Sequence, residues 1–381
     1  MSDYHLVERA RDASADRIVR IRSTLAAQGL DACYVRNLSN IKWASAFEGV
    51  FDEEPAHALL VTQDKVLLHT DSRYCAALLK AAEGSVIEIS SEVSTHAKSL
   101  MNALPTSARV AIEDTLTLRE FHELEKAVEE SHRTIEFVEM QGLIEALRSV
   151  KDDLEIELMR RAQAITDEAF SFIVSFIKPG MSEVQVQRTL DTFMLEHGAS
   201  GLAFPTIVAT GAHAASPHAI PDERPIEVGD AVVMDFGARW GGYCSDMTRT
   251  VFIGEPREKM RRAWETLVCA NERCEHVLRA GKTGAEIHAL AEDILASSGF
   301  AKRMGHGLGH SLGIDIHEDP ALAPRNVRPL PAGAVLTVEP GIYLSGEFGM
   351  RLEDFGVVTE TGFTVITQSS HEMVIIEPQS R

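Results

Sequence analysis

The sequence predicts a two-domain protein. Its C-terminal half is α+β, with antiparallel sheets covered by helices, and its smaller N-terminal half is α/β. Three observations lead there. A chain of 381 residues exceeds the usual size of one domain. The first 150 residues alternate short apolar runs with helical periodicity, as an α/β layer does. The remainder sets long amphipathic helices beside paired strand-like runs joined by Gly-containing turns.

In the first half, Ile18, Val19, Ile21, Leu25 and Leu30 recur near helical spacing and predict a helix over 8–29. Ala32–Val35 reads as a strand, and HALLVTQDKVLLH (57–69) as a hairpin about Gln63-Asp64. A helix over 71–82, strands over 85–89 and 109–112, and a helix over 117–130 complete a domain assigned to residues 1–150. No His, Cys or carboxylate cluster with ligand spacing occurs in it. The second domain, 151–381, opens on KDDLEIELMRRAQAITDEAFSFIVSFI, an amphipathic helix closed by Lys178-Pro179-Gly180. A helix over 183–196, strand-rich sequence from Ile207, helices over 255–280 and 283–298, and loops and strands from Gly305 follow. Two helix–helix–hairpin stretches in series suggest an internal duplication.

Hydrophobic residues make up 45% and charged residues 25%, so a core can form without covalent staples. With 37 basic against 57 acidic residues the formal charge is −20, which leaves no basic footprint for nucleic acid. No apolar run is long enough to cross a bilayer, and MSDYHLVERARDAS lacks an apolar signal core. The expectation is a cytoplasmic protein with no membrane partner. Five cysteines without CxxC spacing fit reduced thiols. Cys269 and Cys274 are poorly placed to share a zinc ion, and Cys244 reads as a small core residue.

The chemistry concentrates in two predicted hairpins. Asp235 lies in AVVMDFGARWGG and Asp246 in YCSDMTRTVF, with their midpoint between Trp240 and Gly241. A two-residue turn there makes the aspartates directly opposed partners on one sheet face. Glu339 in LTVEPGIY and Glu353 in GMRLEDFGVV have their midpoint at Gly346, so a short odd loop opposes them too. Like charges opposed across strands are destabilising, and divalent cations supply the reason to tolerate them. Between the hairpins, Gly305–Gly313 holds four glycines in nine residues, a tightly bent loop that carries His306 and His310. One of these histidines completes the metal set. Four carboxylates and an imidazole suit two divalent ions of the manganese, cobalt or zinc type. Arg351, two residues before Glu353, shares its face and can orient a carboxylate. His213, His276, His288 and His371 read as polar surface; for His218 and His317 chemistry alone decides nothing.

VVMDFGARWGGYCSDMTRT, GHGLGHSLGIDIHEDP, LTVEPGIYL and GMRLEDFGVVTE together resemble the motifs of the pita-bread metallopeptidases: Xaa-Pro aminopeptidase, Xaa-Pro dipeptidase (prolidase) and methionine aminopeptidase. The first 150 residues are similar to a creatinase-type N-terminal domain. The resemblance implies that Asp235 binds one ion, that Asp246 and Glu353 bridge both, and that His310 and Glu339 bind the other. His306 is then the non-ligand histidine of its loop. His317, seven residues after His310, and His218, seventeen before Asp235, match the family's catalytic-pocket histidines. The implied mechanism has two divalent ions, manganese favoured, that activate a water. Glu339 acts as general base and then acid, and His218 and His317 stabilise the oxyanion. The substrate would be a small peptide with proline second, and the assembly a homodimer. The N-terminal domain argues against methionine aminopeptidase, and the retained ligands against creatinase. Where prolidases often place an arginine after HE-x-P, this chain has Ala321, with Arg325 nearby; this favours longer peptides, while the short Glu339–Glu353 spacing favours a compact prolidase. The alternative is a non-peptidase relative of the ectoine hydrolase or dimethylsulfoniopropionate lyase type.

Overall fold

The computed structural model describes residues 3–378, which fall into two compact units dividing between Arg148 and Ser149. The first unit contains α1 (Asp3–Ala27), β1 (Ala32–Val35), α2 (Leu38–Ser45), β2 (Ala58–Thr62), β3 (Val66–His69) and α3 (Cys75–Ala81). It continues with β4 (Glu88–Ser90), α4 (His96–Ala103), β5 (Ser107–Glu113), α5 (Leu118–Ser131), β6 (Thr134–Met140) and α6 (Leu143–Arg148). The strands make one mixed sheet in the order β4-β3-β2-β1-β5-β6. Tyr34, Leu60 and Val110 of this sheet pack on Leu100, Met101 and Leu124 of α4 and α5. Four elements of this unit escape the sequence reading. α2 and α4 are eight residues each and start on side-chain caps rather than on a long apolar stripe. Asn37 Oδ1 accepts from Asn40 N at 3.1 Å, and Thr95 Oγ1 from Lys98 N at 3.2 Å. β6 is an edge strand that buries no residue fully, and α6 is six residues long.

The second unit opens with α7 (Asp153–Phe176), α8 (Glu183–Glu196), β7 (Gly201–Leu202), β8 (Ile207–Thr210) and a 3-10 turn at Gly211–Ala215. Next come β9 (Ala231–Phe236), β10 (Ala238–Trp240), β11 (Tyr243–Cys244), β12 (Met247–Ile253), α9 (Glu258–Val277) and α10 (Gly284–Ser297). The rest is β: β13 (Gly309–Ser311), β14 (Glu318–Leu322), β15 (Val335–Val338), β16 (Gly341–Leu344), β17 (Phe348–Arg351), β18 (Asp354–Val358), β19 (Phe363–Val365) and β20 (Val374–Ile376). Helices α7, α8 and α10 begin with reciprocal side-chain caps, Asp152 with Glu155, Ser182 with Gln185 and Thr283 with Glu286.

Each helix pair dries one face of a strand group. Ile165, Phe170, Leu190 and Met194 of α7 and α8 bury Val232, Met234, Phe236 and Val251. Trp264, Leu267, Ile287 and Leu295 of α9 and α10 bury Leu336, Val338, Phe348 and Met350. Side chains alternate across a strand, so Asp235, between Met234 and Phe236, turns to the face the helices leave free. No described helix is long and apolar enough to cross a membrane. All five cysteines are unpaired; Cys244 is a buried core thiol whose Sγ lies 3.5 Å from the Ile314 carbonyl.

The first hairpin departs from the expected register. Trp240 pairs with Tyr243, and Asp235 faces Thr248 rather than Asp246. The turn is Gly241-Gly242, with φ of 57° and 81°. Positive φ at both central residues is the geometry hairpin turns demand, and Trp240 would be strained there. The two aspartates are therefore diagonal, offset by two residues, and still on one face. The second hairpin closes about Gly346 (φ 77°), as its arithmetic requires. Val338 pairs with Asp354 and Gly341 with Arg351, so the same register places Glu339 opposite Glu353.

Candidate metal centre

Three close approaches of backbone bring the strands together. A Cβ on Gly237 would lie 2.0 Å from the Ser245 carbonyl oxygen, so only glycine lets the first hairpin pinch just before Asp246. A Cβ on Gly309 would lie 2.1 Å from the Thr337 carbonyl oxygen; its absence seats β13, and with it His310, against β15. A Cβ on Gly349 would lie 1.7 Å from the Ala214 carbonyl oxygen, which fixes the loop before His218 on β17.

Asp246, His310 and Glu353 each offer a ligand atom within 4.8 Å of the others. His310 Nε2 lies 3.6 Å from Asp246 Oδ2 and 3.5 Å from Glu339 Oε1. Its Nδ1 lies 3.1 Å from the Ser311 carbonyl, which can only accept, so Nδ1 carries the hydrogen and the Nε2 lone pair faces the carboxylates. Glu339 is tied down at both ends: its N–H donates to Leu308 O at 2.8 Å, and Thr337 Oγ1 donates to its Oε1 at 3.3 Å. Asp235 stands one step aside, its Oδ2 paired with Arg351. Its Oδ1 is buried with no hydrogen-bond partner among the described residues.

The electrostatics favour positive charge among these carboxylates. Burial drives the Asp246 and Glu353 carboxyls well above the usual carboxylate range, with neighbouring acids adding to it. Burial pushes Glu339 up to about 8, Arg351 opposing and Asp235 reinforcing. Burial holds His310 down to about 4, with His317 next in effect, so its ring is neutral, the form that binds metal. Four carboxylates here face one guanidinium, that of the buried Arg351. The orphaned Asp235 oxygen, the carboxylate-rich donor set and the neutral imidazole fit divalent cations.

The other predicted residues surround this cluster. Arg351 donates from Nε to Thr248 Oγ1 at 2.9 Å and from Nη1 to Tyr343 Oη at 2.8 Å. Tyr343 Oη lies 3.2 Å from His306 Nε2, and His306 Nδ1 donates to the Gly307 carbonyl at 2.7 Å. Both His306 nitrogens are thus engaged away from the carboxylates. The His317 ring packs edge-on to His310 at 4.3 Å between centroids, on the exposed side. His218 is exposed in the loop that follows the 3-10 turn; the Pro217 carbonyl before it accepts from Arg351 Nη1 at 3.4 Å.

Sequence reasoning missed Thr248. Its hydroxyl donates to Glu353 Oε2 at 2.7 Å while its carbonyl accepts from Glu353 N at 3.1 Å, stitching the two hairpins together. Its place two residues after Asp246 on the same strand face was the signal. Three histidines read as plain surface are not. His213 Nδ1 lies 2.9 Å from both oxygens of buried Glu183. His288 is buried and its Nδ1 accepts from Leu308 N at 3.2 Å. His371 pairs with Asp354, the residue after Glu353. In each case the partner is far away in sequence, so residue type alone could not show it.

The chain is similar in sequence and fold to known proteins. The sequence pattern of Metallopeptidase family M24 matches residues 157–360, and that of the Creatinase/Prolidase N-terminal domain matches residues 17–150. An uncharacterized peptidase of Bacillus subtilis, YqhT, is 32% identical over 367 residues, which is 94% of this chain and 100% of that protein. A solved Xaa-Pro dipeptidase from Bacillus anthracis is similar with a TM-score of 0.87 and 36% identity, covering 95% of this chain and 99% of its own. A solved X-Pro aminopeptidase from Thermotoga maritima MSB8 gives a TM-score of 0.83 and 32% identity, covering 94% and 100%.

Proposed function

Because this chain belongs to metallopeptidase family M24, a family of metal-dependent hydrolases, we propose that it hydrolyses the Xaa-Pro bond of dipeptides or at the N-terminus of peptides. One observation carries the reading: Asp246, His310 and Glu353 converge within 4.8 Å, beside Glu339 and the partnerless Asp235 oxygen. Asp235, Asp246 and Glu353 would hold one divalent ion, and Asp246, Glu353, His310 and Glu339 the other. Manganese is the ion we favour, ahead of cobalt and zinc, for a set rich in carboxylates. When bound, such ions supply an acidified water nucleophile and polarise a carbonyl.

The chain's own groups do the rest. Glu339 takes the proton of the attacking water and passes it to the leaving nitrogen, general base and then acid. His317 and His218 donate to the carbonyl oxygen as negative charge develops on it, from the exposed side of the cluster. Arg351 keeps Asp235 in place, and Tyr343 holds both Arg351 and His306. Proline as second residue supplies a tertiary amide nitrogen, which receives the proton directly as it leaves. Ala321 offers no cation for a dipeptide carboxylate, which favours peptides longer than two residues, while the short Glu339–Glu353 spacing favours dipeptides, so the proposal includes both. We assign the enzyme to the cytoplasm, in keeping with its free thiols, and to a homodimer, as its family resemblance implies.

The test is a metal-supplemented screen of Gly-Pro, Ala-Pro and Xaa-Pro-Xaa peptides, scored for release of the first residue. Ectoine-type cyclic amides and dimethylsulfoniopropionate run alongside. Turnover of a small molecule with none of the peptides cleaved would overturn the peptidase assignment.

A further inference from the structure

A buried carboxylate outside the metal cluster holds both ends of the loop that carries His218. Glu183 is the first residue of α8 and its side chain is fully buried. Its Oε1 accepts from Thr210 N at 2.8 Å, where the loop leaves β8. Its Oε2 accepts from Asp222 N at 3.1 Å, where the loop returns. Between these points His213 Nδ1 lies 2.9 Å from both oxygens, and since a carboxylate accepts, the imidazole donates. The returning strand is laid against the helix start by Val184 N to Asp222 O at 3.2 Å and by a bridge between Ser182 and Pro225. Arg224 closes the rim, its Nε 3.7 Å from Glu183 Oε1 and its guanidinium paired with Asp222. The middle of the loop rests on the second hairpin through Ala214 over Gly349 and Pro217 on Arg351. His218 is therefore an exposed residue on a loop clamped at three places.

Resting on the role given to His218 above, we infer that Glu183 is a positioning residue for hydrolysis: it fixes the 210–222 loop so that the His218 imidazole meets the substrate carbonyl. A buried anion accepting from two backbone N–H groups and an imidazole is a strong and directional anchor. Such anchoring is required because a hydrogen bond to a developing oxyanion works only when the donor is already in place. The three donors also account for the carboxylate's burial, so neither a metal ion nor a ligand is needed to explain it.

The experiment is a double-mutant cycle on the metal-loaded enzyme with an Xaa-Pro peptide. Glu183→Gln keeps the shape but replaces one acceptor oxygen with an NH₂ group that faces a donor. With metal content and circular dichroism unchanged, kcat should fall about 10- to 100-fold, the cost of a small misplacement of a catalytic group, with KM little changed. In a His218→Ala background the same substitution should cost less than about twofold, because the group it positions is already gone. His213→Asn, at a side chain 20% exposed, is the milder second variant and should show a smaller kcat loss with the same non-additivity. Losses that multiply in the double variants, or wild-type kcat in both Glu183→Gln and His213→Asn, would overturn the role of Glu183 alone. Wild-type kcat in His218→Ala would remove the role of His218 and this inference with it.

Discussion

Thr248 Oγ1 donates to Glu353 Oε2 at 2.7 Å, joining the hairpin that carries the two aspartates to the hairpin that carries the two glutamates. The same oxygen accepts from Arg351 Nε at 2.9 Å. One hydroxyl thus orients a proposed bridging ligand and the arginine that holds Asp235. Replacing Thr248 with Val keeps the β-branched shape and removes the hydroxyl, leaving a buried carboxylate oxygen and a buried guanidinium N–H each short of a partner. Loss of such a support typically weakens metal affinity by about 10- to 100-fold. Calorimetric titration of the metal-free variant with Mn²⁺ measures it. Affinity equal to wild type would mean that Thr248 is only a strand residue.

Glu339 is the group assigned the proton. Its neighbour Thr337 and the Leu308 carbonyl fix its position without Arg351, whose Nε is 4.0 Å away. Glu339→Gln preserves that position and an oxygen ligand but cannot carry a proton. General acid–base catalysis contributes about 10²- to 10⁴-fold, so kcat should fall by at least about 100-fold while bound metal is retained. Wild-type turnover by a variant shown to be metal-loaded would exclude the proton shuttle.

How far the chain itself announces this site depends on which contacts are local. The second hairpin was legible because Ser345-Gly346-Glu347 is symmetric about one glycine, and both flanking pairs share its register. The first was legible only as a hairpin: choosing Trp240-Gly241 as the turn overlooked that Gly241-Gly242 is the pair able to take positive φ twice. The long helices α7 to α10 were readable from periodicity, whereas α2, α4 and α6 were too short to show one. His213 and Glu183 are thirty residues apart, so neither advertised the other. Thr248 could have been found, since it repeats the face of Asp246 at a spacing of two.

Gly309 tests whether strand spacing sets the cluster. Adding a methyl at Gly309 would place it 2.1 Å from the Thr337 carbonyl, backbone that cannot rotate away. Gly309→Ala must separate β13 from β15 and move His310 from Glu339. Overpacking of this sort costs about 1–3 kcal/mol. The expected result is a lower melting temperature together with weaker Mn²⁺ binding. Gly201→Ala is the control: among the described residues nothing lies within 4 Å of a Cβ there, and neither property should change. If Gly309→Ala melts early but binds Mn²⁺ normally, the packing matters to the fold and not to the site.

The crowded carboxylates also set the sign of a pH dependence in the metal-free protein. Burial lifts Glu339 to about 8 from an ordinary 4.5, and lifts Asp246 and Glu353 well above their ordinary values. Over that interval the folded state holds protons that the unfolded chain has released, so stability must fall as pH rises. His310 and His306, each held down to about 4 by burial, act in the opposite sense between about 4 and their ordinary 6.5, because there the unfolded chain binds the extra protons. The two effects part company above 6.5, where the cluster acids lower stability up to 8, joined by Glu275, which burial lifts to about 8, and by His371, which stays raised despite burial through its hydrogen bond to Asp354. Metal-free wild type should therefore lose melting temperature across that window. Glu339→Gln, which mimics the protonated acid, should lose less. Mn²⁺ should flatten or reverse the trend, since it binds the deprotonated carboxylates and so takes the place of their protons. A metal-free melting temperature that rises from pH 6.5 to 8, equally in wild type and Glu339→Gln, would show that these carboxyls do not carry the protons their burial implies.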